Sequence, residues 1–137
     1  MVTIATELPA PDELLDLYGA VGWTSYTRDP DLLVAALGGS HAVLTARASG
    51  RLVGLARTVS DGATIVYVQD VLVHPDHHRS GIGRSLLDEV LRRYGHVRQT
   101  VLLTDAGPGQ RAFYESLGFV EAHDVEPAPL RSFVLLP

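Results

Sequence analysis

The chain has 137 residues, 46% of them hydrophobic, and a formal net charge of −5. That length suits one domain, residues 1–137, with enough apolar side chain to bury a core, while the acidic balance speaks against a nucleic-acid binder, which needs a basic face. There is no cysteine, which excludes disulfides, thiolate zinc sites, iron–sulfur clusters and thiol nucleophiles together.

No apolar run approaches the roughly 18 residues of a membrane span. The start, Met1-Val2-Thr3-Ile4-Ala5-Thr6-Glu7, has neither a basic nor an apolar targeting region. The expectation is a cytoplasmic protein with no membrane partner.

The signals along the chain alternate. Residues 2–5 are β-prone and read as an edge strand. Pro9 and Pro11 open a helix whose Leu14, Leu15, Leu17, Tyr18 and Val21 share one side, ended by Gly19 and Gly22. Asp29-Pro30 starts a second helix through Leu32, Leu33, Val34 and Leu37, stopped by Gly38-Gly39. Residues 41–48 and 51–59 form a hairpin about Ser49-Gly50. After the Asp61-Gly62 turn, residues 64–73 run long and β-branched. A run this apolar reads as buried on both faces and central in the sheet. Residues 81–94 are amphipathic, with Ile82, Leu86, Leu87, Val90, Leu91 and Tyr94 on one stripe. Residues 98–104 read as a strand and 110–117 as a short helix stopped by Gly118. Residues 119–122 and 132–136 read as the last strands. The order β-α-α-β-β-β-α-β-α-β-β describes a mixed α/β domain.

Residues 71–87, Val-Leu-Val-His-Pro-Asp-His-His-Arg-Ser-Gly-Ile-Gly-Arg-Ser-Leu-Leu, carry the most information. A buried strand ends, Pro75 breaks it, and a loop with Gly81 and Gly83 opens a helix. A helix start offers free N–H groups and a positive dipole end, so the segment can cradle an anion, most naturally a diphosphate. Arg79 and Arg84 could add charge at its rim. A dinucleotide fingerprint would need glycine at Leu86, and a Walker A loop would need Lys after Gly83, so neither fits.

The stretch His78-Arg79-Ser80-Gly81-Ile82-Gly83 resembles the Gln/Arg-x-x-Gly-x-Gly/Ala motif of the GNAT N-acetyltransferase superfamily. Downstream, Phe113-Tyr114-Glu115-Ser116-Leu117-Gly118-Phe119 resembles that family's Phe-Tyr-x-x-x-Gly-Phe block. The element order matches too, over essentially the whole chain. The resemblance implies a central mixed, mostly antiparallel sheet flanked by about four helices, with a V-shaped splay between two central strands. It implies acetyl-CoA as cosubstrate and no metal. The pantetheine arm would lie along Val71, Leu72 and Val73, and the pyrophosphate on His78, Arg79, Ser80, Gly81, Ile82, Gly83, Arg84 and Ser85. Two departures stand out: His78 replaces the usual Gln/Arg, and Asp105-Ala106-Gly107-Pro108-Gly109 replaces an Asn that often precedes the last helix.

Acetyl transfer to an amine needs a base, a stabilised oxyanion and an acid for the leaving thiolate. Tyr114 is a fitting acid, because a tyrosine titrating near ~10 keeps its proton at neutral pH; the family places its catalytic Tyr in this block. Asp70 is either the base or a structural partner for a basic or hydroxyl side chain. Strand alternation turns Asp70 and Gln69 to opposite faces. The oxyanion donor implied by the resemblance is the Val71 backbone N–H. Trp23, Tyr26, Tyr67 and Gln69 are candidates for the acceptor pocket, with core packing the competing role for Trp23 and Tyr67. His74, His77 and His78 lack the helical spacing and carboxylate partner of a metal site, and His41 reads as a surface histidine.

The expected function is direct N-acetyl transfer to a small-molecule amine, or to a protein amine. Its rivals are a non-catalytic acyl-CoA sensor, a tRNA-directed acetylating toxin disfavoured by the charge, and a nucleotide-binding domain unrelated to CoA. A homodimer follows from family habit alone.

Overall fold

The computed structural model describes residues 1–137. β1 (Val2–Thr6), β2 (Ala42–Ala48), β3 (Arg51–Ser60), β4 (Ile65–Val73) and β5 (Gln99–Leu102) form one sheet in the order β1-β2-β3-β4-β5. The first three pairings are antiparallel and β4–β5 is parallel. The helices are α1 (Pro11–Ala20), α2 (Thr24–Thr27), α3 (Pro30–Gly38), α4 (Ile82–Arg93) and α5 (Gln110–Ser116). None is long and apolar enough to cross a membrane.

Local chemistry sets the element ends. Asp29 caps α3, its Oδ1 accepting the Leu32 N–H at 3.2 Å, and Pro30 fills the first turn. The Asp61 carboxylate accepts the Ala63 N–H at 2.9 Å and the Thr64 N–H at 2.7 Å, which closes the turn into β4.

Met1–Leu103 form one compact unit and Thr104–Pro137 a second. In the first, the apolar stripes of α1 and α3 bury Leu14, Leu17, Tyr18, Leu33 and Leu37 against Leu55 and Leu72 of the sheet. α4 buries Ile82, Leu86, Leu87 and Val90. A Cβ on Gly54 would lie 2.8 Å from Ile82 Cγ2 and 3.2 Å from Leu86 Cδ1. Glycine in β3 is therefore what lets the start of α4 seat directly on the sheet.

In the second unit, α5 starts after Gly109 (φ 91°) and Gly118 (φ 94°) follows it in the left-handed region. Arg111 pairs with Glu115, Glu121 and Asp124.

Four sequence expectations need correction. The linker between α1 and α3 carries a short extra helix, α2. The middle strand is β3, buried from Leu52 to Thr58, whereas β4 alternates between buried Val66, Val68, Asp70 and Leu72 and more open residues. Its β-branched run reflects strand propensity rather than burial on both faces. β5 is four residues long, shorter than the apolar run 98–104 suggests. Residues 119–122 and 132–136 form no strand: 122–124 make a single 3-10 turn, and Phe133, Leu135 and Leu136 stand exposed. β-propensity without a pairing edge does not make a strand.

Candidate functional site

β4 and β5 pair from Ile65↔Gln99 to Val68↔Leu102 and then part. At the same level the β3–β4 ladder slips: Arg57 faces Asp70, but Thr58 faces Val68. Gln69 is the extra residue, a bulge that bends the strand. Beyond it β4 keeps its β3 partner, while its other edge has no β5 partner.

The polarity of that free edge follows from one bond. His74 N–H donates to Val53 O on β3 at 2.7 Å. In an antiparallel ladder alternate residues turn their backbone groups to opposite neighbours. Leu72 and Asp70 thus point to β3, and Val73 and Val71 point to the open edge. His78 agrees, its Nε2 lying 3.0 Å from Val73 O. Leu72 therefore leaves the expected edge set: its backbone serves β3 and its side chain lies in the core.

The edge leads through the turn Pro75–His77 into the loop before α4. Here Arg79 (φ 63°) and Gly81 (φ 82°) both adopt the left-handed conformation. A non-glycine residue held there is uncommon, and such residues concentrate where a loop is shaped for a purpose. The first helical bond runs from Ser85 N–H to Gly81 O at 3.0 Å. The N–H groups of Ile82 and Gly83 thus precede it and can donate outward at the positive end of the helix. His78, Arg79, Ser80, Gly81, Arg84 and Ser85 are exposed, while the Ile82 side chain is buried beneath the loop. The loop thus presents a cradle of backbone donors at a helix start, continuous with the open strand edge and of the kind that can receive an anion.

The second cluster lies under the bulge. Asp70 is 3% exposed. Its Oδ2 accepts from Arg57 Nε at 2.5 Å and from Tyr18 OH at 2.9 Å, and its Oδ1 accepts from Tyr26 OH at 3.1 Å. Of the two roles open to Asp70 in the sequence, this is the arrangement of the structural partner. Burial and then the negative charge of Asp70 push the Tyr18 phenol well above the ordinary tyrosine range. Burial opposes the Arg57 charge, but the hydrogen bonds to Asp70 and Tyr26 outweigh it and raise its affinity for the proton.

Gln69 is exposed but does not simply face away from Asp70. Its Nε2 reaches to 3.4 Å of Tyr26 OH, because the bulge breaks the strict alternation. Trp23 and Tyr26 are half-buried, and their rings pack around Tyr18 at 5.9 and 5.1 Å. Tyr67 is half-buried on β4. Sequence reasoning missed Arg57 and Gly54 and read Tyr18 as core alone. A signal existed: Arg57 and Asp70 are charges set inside two apolar strand runs, and buried charges come in pairs.

In the second unit Tyr114 is half-buried, with the rings of Phe113 and Phe119 at 5.1 and 5.8 Å. Burial, then the charge of Asp105, raises its phenol above the ordinary range. It therefore holds its proton at neutral pH, as an acid must.

Residues 39–121 match the model of the acetyltransferase (GNAT) domain. The chain is 28% identical over 116 residues to the uncharacterized N-acetyltransferase ycf52 of Pyropia yezoensis, covering 82% of this chain and 66% of that protein. It thus spans 66% of the length of that relative and half or less of several other curated relatives. Among solved structures, a GNAT-family acetyltransferase from Streptococcus pneumoniae superposes with a TM-score of 0.83 at 32% identity, over 100% of this chain and 98% of the other. An aminoglycoside N-acetyltransferase, AAC(6')-Iy, solved in complex with CoA, shares the fold with a TM-score of 0.74 at 17% identity, covering 100% and 95%. With a family model over more than half its length, an open β4 edge and a backbone cradle before α4, the chain belongs to the GNAT acetyltransferase family.

Proposed function

We propose that the protein is an acetyl-CoA-dependent N-acetyltransferase that moves the acetyl group directly to a primary amine of a small molecule. The observation that carries this is the continuity of the β4 edge without a β5 partner, at Val71 and the Val73 N–H, with the left-handed loop and the α4 amides. An extended arm ending in a diphosphate fits that path, because the strand edge offers alternating donors and acceptors and the cradle offers only donors. Acetyl-CoA supplies the activated acyl group. The Val71 N–H, facing the open edge, is the donor for the carbonyl oxygen as negative charge builds on it.

The Tyr114 phenol gives a proton to the departing thiolate, supported by the Phe-Tyr-x-x-x-Gly-Phe block and by its raised affinity for the proton. Asp70 is not the base in this reading, because its oxygens are already engaged by Arg57, Tyr18 and Tyr26. Water takes the amine proton, or the amine arrives neutral. With no cysteine for a thioester acyl-enzyme, the amine attacks the acyl group directly. Trp23, Tyr26 and Gln69 are the side chains we assign to the acceptor.

The test is thiol release from acetyl-CoA across a panel of small amines, amino sugars and peptides. Turnover with a small amine is expected. Tight CoA binding with no turnover on any acceptor would favour the non-catalytic sensor instead.

A further inference from the structure

We infer that the buried trio Tyr18, Arg57 and Asp70 is a positioning device that sets the register of β4, and with it the place of the Val71 N–H on the open edge. The inference rests on the acetyl-transfer reading for its kinetic consequence, but its structural half stands on the ladder alone.

The trio is not explained by stability. A buried ion pair is at best about neutral against well-packed apolar side chains, because each charge must leave water. The neighbouring buried positions in the same core, Leu55, Leu72 and Leu17, are all apolar. Yet Arg57 and Asp70 sit directly opposite one another, at the last matched pair before the slip.

Consider the ladder without the slip. If the Thr58↔Val68 register continued unbroken, Arg57 would face Gln69 and Ala56 would face Asp70. The two charges would be split, one of them uncompensated in the interior. A one-residue shift also exchanges the two faces of a strand and moves it along its neighbour by about 3.3 Å. Val71 would lose its place on the free edge. The ion pair therefore penalises the unbulged register and selects the one in which Gln69 is extruded. Tyr18 on α1 and Tyr26 on α2 hold the carboxylate from the helix side, and Gln69 itself reaches Tyr26. The register of β4 is thus tied to the helices over that face.

The experiment replaces the trio with apolar side chains, Tyr18→Phe/Arg57→Met/Asp70→Val, and runs it beside the wild type. All three residues are buried, but Arg57 and Asp70 also hold the Tyr26 hydroxyl, so Tyr26→Phe is run beside the triple variant: an equal loss of kcat there assigns the effect to the acceptor pocket and overturns the inference. Expected are a melting temperature near that of wild type, a raised KM for acetyl-CoA, whose arm lies along the displaced Val71 edge, and kcat down by about 100-fold, the scale of an ångström-level misplacement. Backbone amide resonances of residues 68–72 should move. A folded triple variant with unmoved amides and wild-type kcat overturns the inference. Should the triple variant not fold, Asp70→Asn decides: it keeps the side-chain shape and one acceptor oxygen, its NH2 donating where the second oxygen accepted, but removes the charge, and kcat should fall by about tenfold. Wild-type kcat in that variant, or failure of both variants to fold, overturns the inference. A wild type that acetylates no amine instead counts against the acetyl-transfer reading, and the amide shifts then judge the register alone.

Discussion

Arg57 Nε lies 2.5 Å from Asp70 Oδ2, across the point where the β3–β4 ladder slips by one residue. Both side chains are almost fully enclosed, with 10% and 3% of their surface exposed. Removing Arg57 alone leaves the Asp70 charge buried with only the Tyr18 and Tyr26 hydroxyls to hold it. Arg57→Leu is expected to cost about 3–5 kcal/mol, read as a lower urea midpoint with little change in slope. A loss below about 1 kcal/mol would mean that the carboxylate is satisfied without the guanidinium.

Gly54 tests the seat of α4. Gly54→Ala would place a methyl 2.8 Å from Ile82 Cγ2 and 3.3 Å from Ala46 Cβ. Overpacking of this kind costs about 1–3 kcal/mol. Because Ile82 opens α4, the loop amides should shift with it. The expected outcome is a lower melting temperature together with a several-fold weaker CoA affinity by calorimetry. Destabilisation with unchanged affinity would uncouple the cradle from the helix seat.

Tyr114→Phe removes the proposed acid and little else. A loss of about 10²–10³-fold in kcat is expected, within the usual reach of general acid catalysis, with CoA affinity retained. Wild-type kcat in this variant would remove Tyr114 from the chemistry.

Alkaline stability depends on Tyr18 and on Tyr114, the two phenols raised on folding, and substitution separates them. All eleven basic side chains are arginines, so no lysine titrates in this range. Burial and the nearby Asp70 charge raise the folded-state Tyr18 above its unfolded value of about 10. For a group raised on folding, the stabilisation is full below the unfolded value and is lost as pH rises above it. Stability should therefore decline from about pH 10 upward, as unfolded tyrosine ionises. Tyr18→Phe should flatten that decline in a series of urea titrations, and an unaltered slope would contradict the assignment.

Much of this was legible in the sequence. The amphipathic stripe of 81–94, the Ser49-Gly50 hairpin and the Pro75 strand break use local signals, and each became the expected element. The loop that opens α4 was visible because glycine spacing and a helix start are local facts. The Arg57–Asp70 pair was not, because it depends on which strands become neighbours and in which register. The same limit explains the two expected terminal strands: Phe119 and Phe133 carry β-propensity, but propensity names no pairing edge. The bulge at Gln69 was hidden for a third reason, since one extra residue in a ladder leaves the β-branched pattern of 65–73 intact.

The most direct measurement is a titration of the isotopically labelled protein with CoA, followed by backbone amide resonances. Saturable binding is expected, with the largest shifts at Val71, Val73 and residues 79–85. No binding, or shifts confined to amides away from the β4 edge and the α4 start, would contradict the assignment of that path to the cosubstrate.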